Sequence, residues 1–126
     1  MEKVIIEPTR TTPLINFDPD EGILEMKGRS SPENARDFYN PVFEAMDKIA
    51  SSSLEEITFN FEFEYFNTSS SKCLFRILKA ANDIHQSGKT VHVNWRFDED
   101  DEDMQESGED LESLLDIEFN YVENQF

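Results

Sequence analysis

In the middle of this chain a strand pattern runs directly into a helix pattern, and this junction limits the possible folds more than any other feature. Ile57, Phe59, Phe61, Phe63 and Tyr65 alternate with Thr58, Asn60, Glu62 and Glu64, the period of a half-buried strand. Leu74, Ile77, Leu78, Ala81 and Ile84 then recur at helical spacing. A strand that returns to its sheet through a helix pairs parallel to its predecessor, by a right-handed crossover. The junction therefore predicts an α/β chain.

The flanking sequence extends the pattern. Val4–Ile6 is a short apolar start interrupted by Pro8, and Leu14, Ile15 and Phe17 suggest a strand. A turn cluster at 18–22 leads into a returning strand over Ile23–Lys27, closed by Gly28. Ser30 or Ser31 then reads as the cap of a helix, with Pro32 and Glu33 in its first turn. Its apolar stripe is Ala35, Phe38, Tyr39, Val42, Phe43, Met46, Ile49 and Ala50. Pro41 lies inside that stripe and predicts a kinked or split helix.

The central strand is expected over Leu54–Tyr65, and the helix after it ends near Ser87, with Gly88 as a C-terminal cap. Val91, Val93, Trp95 and Phe97 mark another one-sided strand. An acidic loop at 98–103, a weaker helix over Met104–Leu115 and a strand through Ile117, Phe119 and Tyr121 complete the order ββ(β)αβαβαβ. The fold class is α/β, with one mixed sheet of four to six strands, helices mainly on one face and a wetter opposite face. This order resembles the STAS-like architecture of anti-sigma-factor antagonists, an analogy of fold alone.

A chain of 126 residues predicts a single domain over 1–126, long enough to bury a core without staples. No apolar run approaches the ~20 residues of a membrane span, and no secretory signal is visible. One cysteine, Cys73, excludes an internal disulfide framework and fits a cytoplasmic location. Twenty-eight acids against eleven bases give a net charge of −17. Such a surface repels nucleic acid and anionic lipid, so neither is expected as a partner. From Asp98 onward there are thirteen acids and no Lys or Arg.

Catalytic chemistry finds little support. His85 falls on a helix and His92 on the polar side of a strand, and no P-loop, Gly-x-Ser-x-Gly or Cys-x-x-Cys occurs. Cys73 reads as a small packed residue rather than a reactive thiolate. The run 98–103 fails the EF-hand pattern, which needs Gly at the sixth position where Asp103 stands. It reads as a solvated loop, a docking surface for a basic partner or a loose divalent-cation site. No cofactor and no metal ligand set is expected, and the chain is read as a non-enzyme. Glu62, Glu64, Asn94 and Arg96 are either a solvated sheet face or part of a docking surface.

The strand–helix junction itself carries Asn67, Thr68, Ser69, Ser70 and Ser71. On one reading these residues cap the helix. On the other, a hydroxyl here is a charge switch, because a helix start stabilises an added phosphate. The run Glu64–Ser71 resembles the phosphoacceptor segment of the SiaC-type bacterial regulatory phosphoproteins. Gly28–Asn34 followed by Phe38 and Pro41-Val42, and Gly88–Trp95 followed by acids, match the same family in the same order. The chain departs from typical members in its longer acidic segment after Phe97 and in Ser71.

The resemblance implies Thr68 as the phosphorylation site, with Ser69 the runner-up. It implies a histidine-kinase-like ATPase as kinase, a PP2C-type phosphatase, and an unmodified form that binds and activates a diguanylate cyclase, hence control of cyclic-di-GMP and biofilm formation. By the geometry of STAS-like domains, Ser30, Ser31, Glu33 and Asn34 would flank Thr68. They would join Asn67, Ser69, Ser70 and Lys72 as phosphoacceptor-loop and partner-contact residues. Lys72 and Arg76 would screen the new charge. The added charge of about −1.5 to −2 would disfavour an acidic partner and clash with a close-packed interface. The alternatives are a constitutive acidic adaptor whose hydroxyls only cap a helix, and a small metal-binding domain.

Overall fold

The computed structural model describes residues 1–125. Six strands form one sheet in sequential order: β1 (Val4–Ile6), β2 (Leu14–Asp18), β3 (Ile23–Ser30), β4 (Glu56–Phe66), β5 (Thr90–Asp98) and β6 (Phe119–Asn124). β1, β2 and β3 pair antiparallel as a meander, and β3 through β6 pair parallel. The three parallel crossovers contain α1 (Ala35–Ala50), α2 (Thr68–Gln86) and α3 (Glu102–Glu112). Each crossover steps to the next strand in the same direction, so the right-handed rule puts all three helices on one face. Burial agrees: Ile57, Phe59, Phe61 and Phe63 are buried, while Thr58, Asn60 and Glu62 are only half-buried. The expected mixed sheet with one helical layer is the observed architecture. Among the described residues, no helix is long and apolar enough to cross a membrane.

The open face carries a polar row in register across five strands: Asn16, Glu25, Asn60, Asn94 and Asn120. Asn94 donates to Asn60 Oδ1 at 2.8 Å and accepts from Asn120 Nδ2 at 3.0 Å. Lys27 and Glu62 pair at 3.4 Å beside this row. Side-chain amides, each both donor and acceptor, thus bond across the strands on a face that has no covering layer.

Several element boundaries differ from the sequence reading, each for a local reason. Gly28 does not close β3. At φ 125°, a conformation that favours glycine, it opens a bulge through which the strand continues to Ser30. Gly28 lies opposite Phe63 but Arg29 opposite Tyr65, so Glu64 is the extra residue on β4. The bulge inverts the alternation beyond it. Tyr65, expected on the buried face, is 44% exposed and lies under Arg29, whose guanidinium carbon is 5.1 Å from the ring centroid. Phe66 turns inward instead, with its ring 5.5 Å from that of Phe63 and 6.3 Å from that of Trp95.

Neither Ser30 nor Ser31 caps α1. Ser30 is still in β3, and Asn34 is the cap, its Oδ1 accepting from Asp37 N at 3.1 Å. Pro41 does not split the helix, which runs unbroken from Ala35 to Ala50. α3 starts two residues early, inside the acidic run, because Asp101 caps it with an Oδ1 bond to Met104 N at 3.0 Å. Glu102 and Asp103 then occupy the first turn, where the helix dipole favours anions. The run is therefore partly a helix start and not wholly a loop. Gly88 takes a positive φ of 112° just past the end of α2, as expected of a C-terminal cap.

Trp95 centres the core over β4–β6. It is 1% exposed and lies within 6.3 Å, centroid to centroid, of Phe61, Phe63, Phe66 and Phe119. Its Nε1 donates to Met104 O at 3.0 Å, which satisfies the only polar atom of the indole and ties α3 to the sheet. Asn82, also buried, does the same for the end of α2: its Oδ1 accepts from Asp116 N and Ile117 N at 2.9 and 3.2 Å.

Candidate functional site

Three parallel strands deliver the chain to the same edge of the sheet, and each turns there into a helix capped by Asn or Asp. Asn34 and Asp101 cap the two outer helices, and at the middle turn Asn67 Oδ1 accepts from Ser70 N at 2.8 Å. In open α/β sheets the crevice outside the carboxyl ends of parallel strands is the usual place for binding. The turns into α1 and α2 are joined directly, since Asn67 N donates to Ser30 O at 3.0 Å.

The four hydroxyls at the start of α2 do different things. Ser70 is fully buried, and so are Ser30 and Tyr39. Their hydroxyls form one directed chain. Tyr39 OH donates to Ser30 Oγ at 2.5 Å, Ser30 Oγ to Ser70 Oγ at 2.7 Å, and Ser70 Oγ to Ser30 O at 3.1 Å. This direction is the one that gives all three donors an acceptor. Ser71 Oγ donates back to Thr68 O at 2.7 Å. Thr68 and Ser69, the first two residues of the helix, are exposed, and among the described residues neither hydroxyl has a hydrogen-bond partner. Capping belongs to Asn67, which leaves Thr68 and Ser69 unspent.

The remaining expected site residues divide in the same way. Glu33, Asn34 and Lys72 are exposed, Ser31 is half-buried and its N–H donates to Thr11 O at 2.7 Å. Ser30 and Ser70 present no side-chain surface in this conformation, so their place is behind the site and not on it. Glu33, Asn34, Ser69 and Lys72 do come together. They line a cleft of about 460 Å³ between the starts of α1 and α2, with Arg36, Phe43, Cys73 and Arg76. Thr68 and Ser31 are not among its lining residues.

Sequence reading missed Arg36 and placed Tyr39 only in the apolar stripe. A usable signal existed for the cleft wall: Ser69, Lys72, Cys73 and Arg76 follow i, i+3, i+4, i+7 and share a helix face. Burial raises the Cys73 thiol pKa, against a smaller opposing pull from Arg76 and Arg36, so the thiol stays protonated. His85 and His92 are both exposed, and His92 Nε2 lies 3.0 Å from Glu56 Oε1 on the open face. Among the described residues, no group of three or more His, Cys, Asp or Glu side chains is arranged to hold a metal ion.

Comparison with known proteins agrees with this arrangement. A sequence model of the SiaC family regulatory phosphoproteins matches residues 6–124. An uncharacterised protein of Pseudomonas aeruginosa strain UCBPP-PA14 is 30% identical over 111 residues, 88% of each chain. The crystal structure of apo-SiaC from Pseudomonas aeruginosa superposes with a TM-score of 0.88 at 27% identity, covering 97% of this chain and 99% of that one. The structure of the diguanylate cyclase SiaD in complex with its activator SiaC, from the same organism, matches with a TM-score of 0.92 at 27% identity, covering 96% and 99%. With a family match over nearly its whole length, this chain belongs to the SiaC family of regulatory phosphoproteins.

Proposed function

We propose that this chain is a cytoplasmic, non-enzymatic signalling protein, one regulatory domain over 1–126, whose unmodified form binds and activates a diguanylate cyclase. Phosphorylation of Thr68 switches that binding off. The kinase is a histidine-kinase-like ATPase that transfers the γ-phosphoryl group of ATP to Thr68 Oγ1. The new O–P bond replaces the β,γ-bridging P–O bond, ADP leaves, and the hydroxyl proton passes to a base. A PP2C-type phosphatase restores the hydroxyl by hydrolysis, releasing inorganic phosphate. Control of cyclic-di-GMP follows from the cyclase.

The observation that carries this reading is the state of Thr68: exposed at the first position of α2, and relieved of capping by Asn67. A phosphate there gains from the helix dipole, so the fold tolerates the modification. The partner follows from the relative named as activator of SiaD.

The test uses purified protein and the diguanylate cyclase of the same host. Thr68→Ala is expected to bind and activate constitutively, and Thr68→Glu, or the kinase-treated wild type, to lose activation at least tenfold. Equal activation by wild type, Thr68→Glu and kinase-treated protein rejects the switch. Stability separates the switch from a structural effect. Thr68→Ala should change stability by less than about 0.5 kcal/mol. Asn67→Ala should cost about 1 kcal/mol through the lost cap.

A further inference from the structure

In a chain with 28 acids and 11 bases, one place inverts the charge. The cleft between α1 and α2 is lined by three cations, Arg36, Lys72 and Arg76, and one acid, Glu33. Among the described residues, none of these cations has an acidic partner within 4 Å, although Lys27 and Lys79 elsewhere do. Arg76 is held in place by other means: its guanidinium carbon lies 4.0 Å above the Phe43 ring centroid. Arg36 comes from α1 and Arg76 from α2, and both line this cleft and the hollow beside it, so the two charges face the same space. Such an arrangement is preorganised for an anion that the protein does not itself supply.

The position of the cleft names the anion. Ser69 lines it, with Lys72 three and Arg76 seven residues further along the same helix face. Thr68 precedes it, with Lys72 four residues on. We infer that the cleft is the receptor for a phosphomonoester dianion placed at the mouth of α2. It captures the group by charge-assisted hydrogen bonds from Lys72, Arg76 and Arg36. The inference rests on the phosphorylation reading and adds how the modification works. The phosphate folds back onto the protein and bridges α1 to α2, instead of only projecting as repulsive bulk. Glu33 on the cleft rim and Asp37 beside Arg36 in the adjoining hollow oppose it, and the three cations outnumber them.

The test reads the phosphate without any partner. Protein carrying phosphothreonine at position 68, installed during translation, is titrated between pH 4 and 9 and followed by phosphorus NMR. A free phosphomonoester has its second pKa near 6. Capture is expected to lower this by about 0.5–1 unit, the effect of nearby opposite charge. Arg36→Gln with Arg76→Gln should return it to the value of a phosphothreonine peptide. Lys72→Gln, a single change at an exposed position, should return it part of the way, and Lys48→Gln at the far end of α1 should leave it lowered. A phosphate that titrates like the peptide in the wild-type protein overturns the inference, and so does a lowered pKa that none of the three cleft substitutions moves. A captured phosphate with unchanged cyclase binding would instead reject the switch and leave the receptor standing.

Discussion

At the residue scale, the buried hydroxyl chain behind the site gives asymmetric predictions. Tyr39 OH is the first donor, so Tyr39→Phe removes one bond and leaves no donor stranded. That loss is expected to cost about 1 kcal/mol. Ser30→Ala removes the central link: it takes from the buried Tyr39 hydroxyl its 2.5 Å acceptor and takes a donor from Ser70. A stranded buried donor costs about 1–3 kcal/mol, so Ser30→Ala should be the more damaging in urea unfolding. Equal effects would contradict the direction assigned to the chain. The same tyrosine gives a pH signature. Burial, only partly offset by its bond to Ser30, pushes Tyr39 up from 10 to about 12. The native state therefore holds this proton more tightly than the unfolded chain. Stability should be unaffected below pH 10 and fall from pH 10 to 12, by about 2–3 kcal/mol for this group. Tyr121, raised by burial and its bond to Glu112, adds to the loss. Alkaline unfolding of Tyr39→Phe should be correspondingly flatter, and an unchanged slope would remove Tyr39 from the cause.

At the element scale, α3 lies so close to Trp95 that position 108 has no room for a side chain. Gly108 has no positive φ; it is glycine for lack of space, since a Cβ would lie 2.6 Å from Trp95 Nε1 and 2.7 Å from its Cδ1. The indole cannot retreat, being packed among Phe61, Phe63, Phe66 and Phe119. Overpacking costs about 1–3 kcal/mol and the helix propensity of alanine returns about 1. Gly108→Ala should thus lose up to about 2 kcal/mol, and the fluorescence of the sole tryptophan would report it. A stabilised variant would mean that α3 can lift from the sheet at little cost. Sequence patterns revealed these elements unevenly. Period-two alternation identified β4 and β5 because one face is buried and the other wet. It failed at Tyr65 because a bulge depends on the neighbouring strand, through Gly28, and no single-strand period records that. It failed for the start of α1 because both Ser30 and Asn34 are chemically fit to cap, and only pairing of β3 with β4 as far as Phe66 decides between them. The exposed Thr68 was legible from its place at the strand–helix junction. The cleft was not, because Arg36 and Arg76 meet only when α1 packs on α2.

At the scale of the whole molecule, the net charge works against stability. The chain carries −17, and the two lysine–carboxylate ion pairs among the described residues are at exposed or half-exposed positions. Exposed pairs contribute about 0–1 kcal/mol each, too little to offset general self-repulsion. Screening should therefore stabilise: the Debye length falls from about 30 Å at 0.01 M salt to about 10 Å at 0.1 M. The melting temperature is expected to rise by several degrees when sodium chloride is raised from about 10 to 500 mM. The repulsion has a local centre in α3, where exposed Glu102, Glu106 and Asp110 stand four residues apart on one face. Like charges at that spacing cost about 0.2–0.5 kcal/mol per pair, and opposite charges gain a similar amount. Glu106→Lys turns two repulsive pairs into attractive ones, so it should stabilise by about 1 kcal/mol at low salt. Part of that gain should vanish at 500 mM, because the substitution removes the same repulsion that salt screens. A gain independent of salt would assign it to helix propensity, and a destabilised variant would show that the acidic face of α3 is held by contacts that charge repulsion does not outweigh.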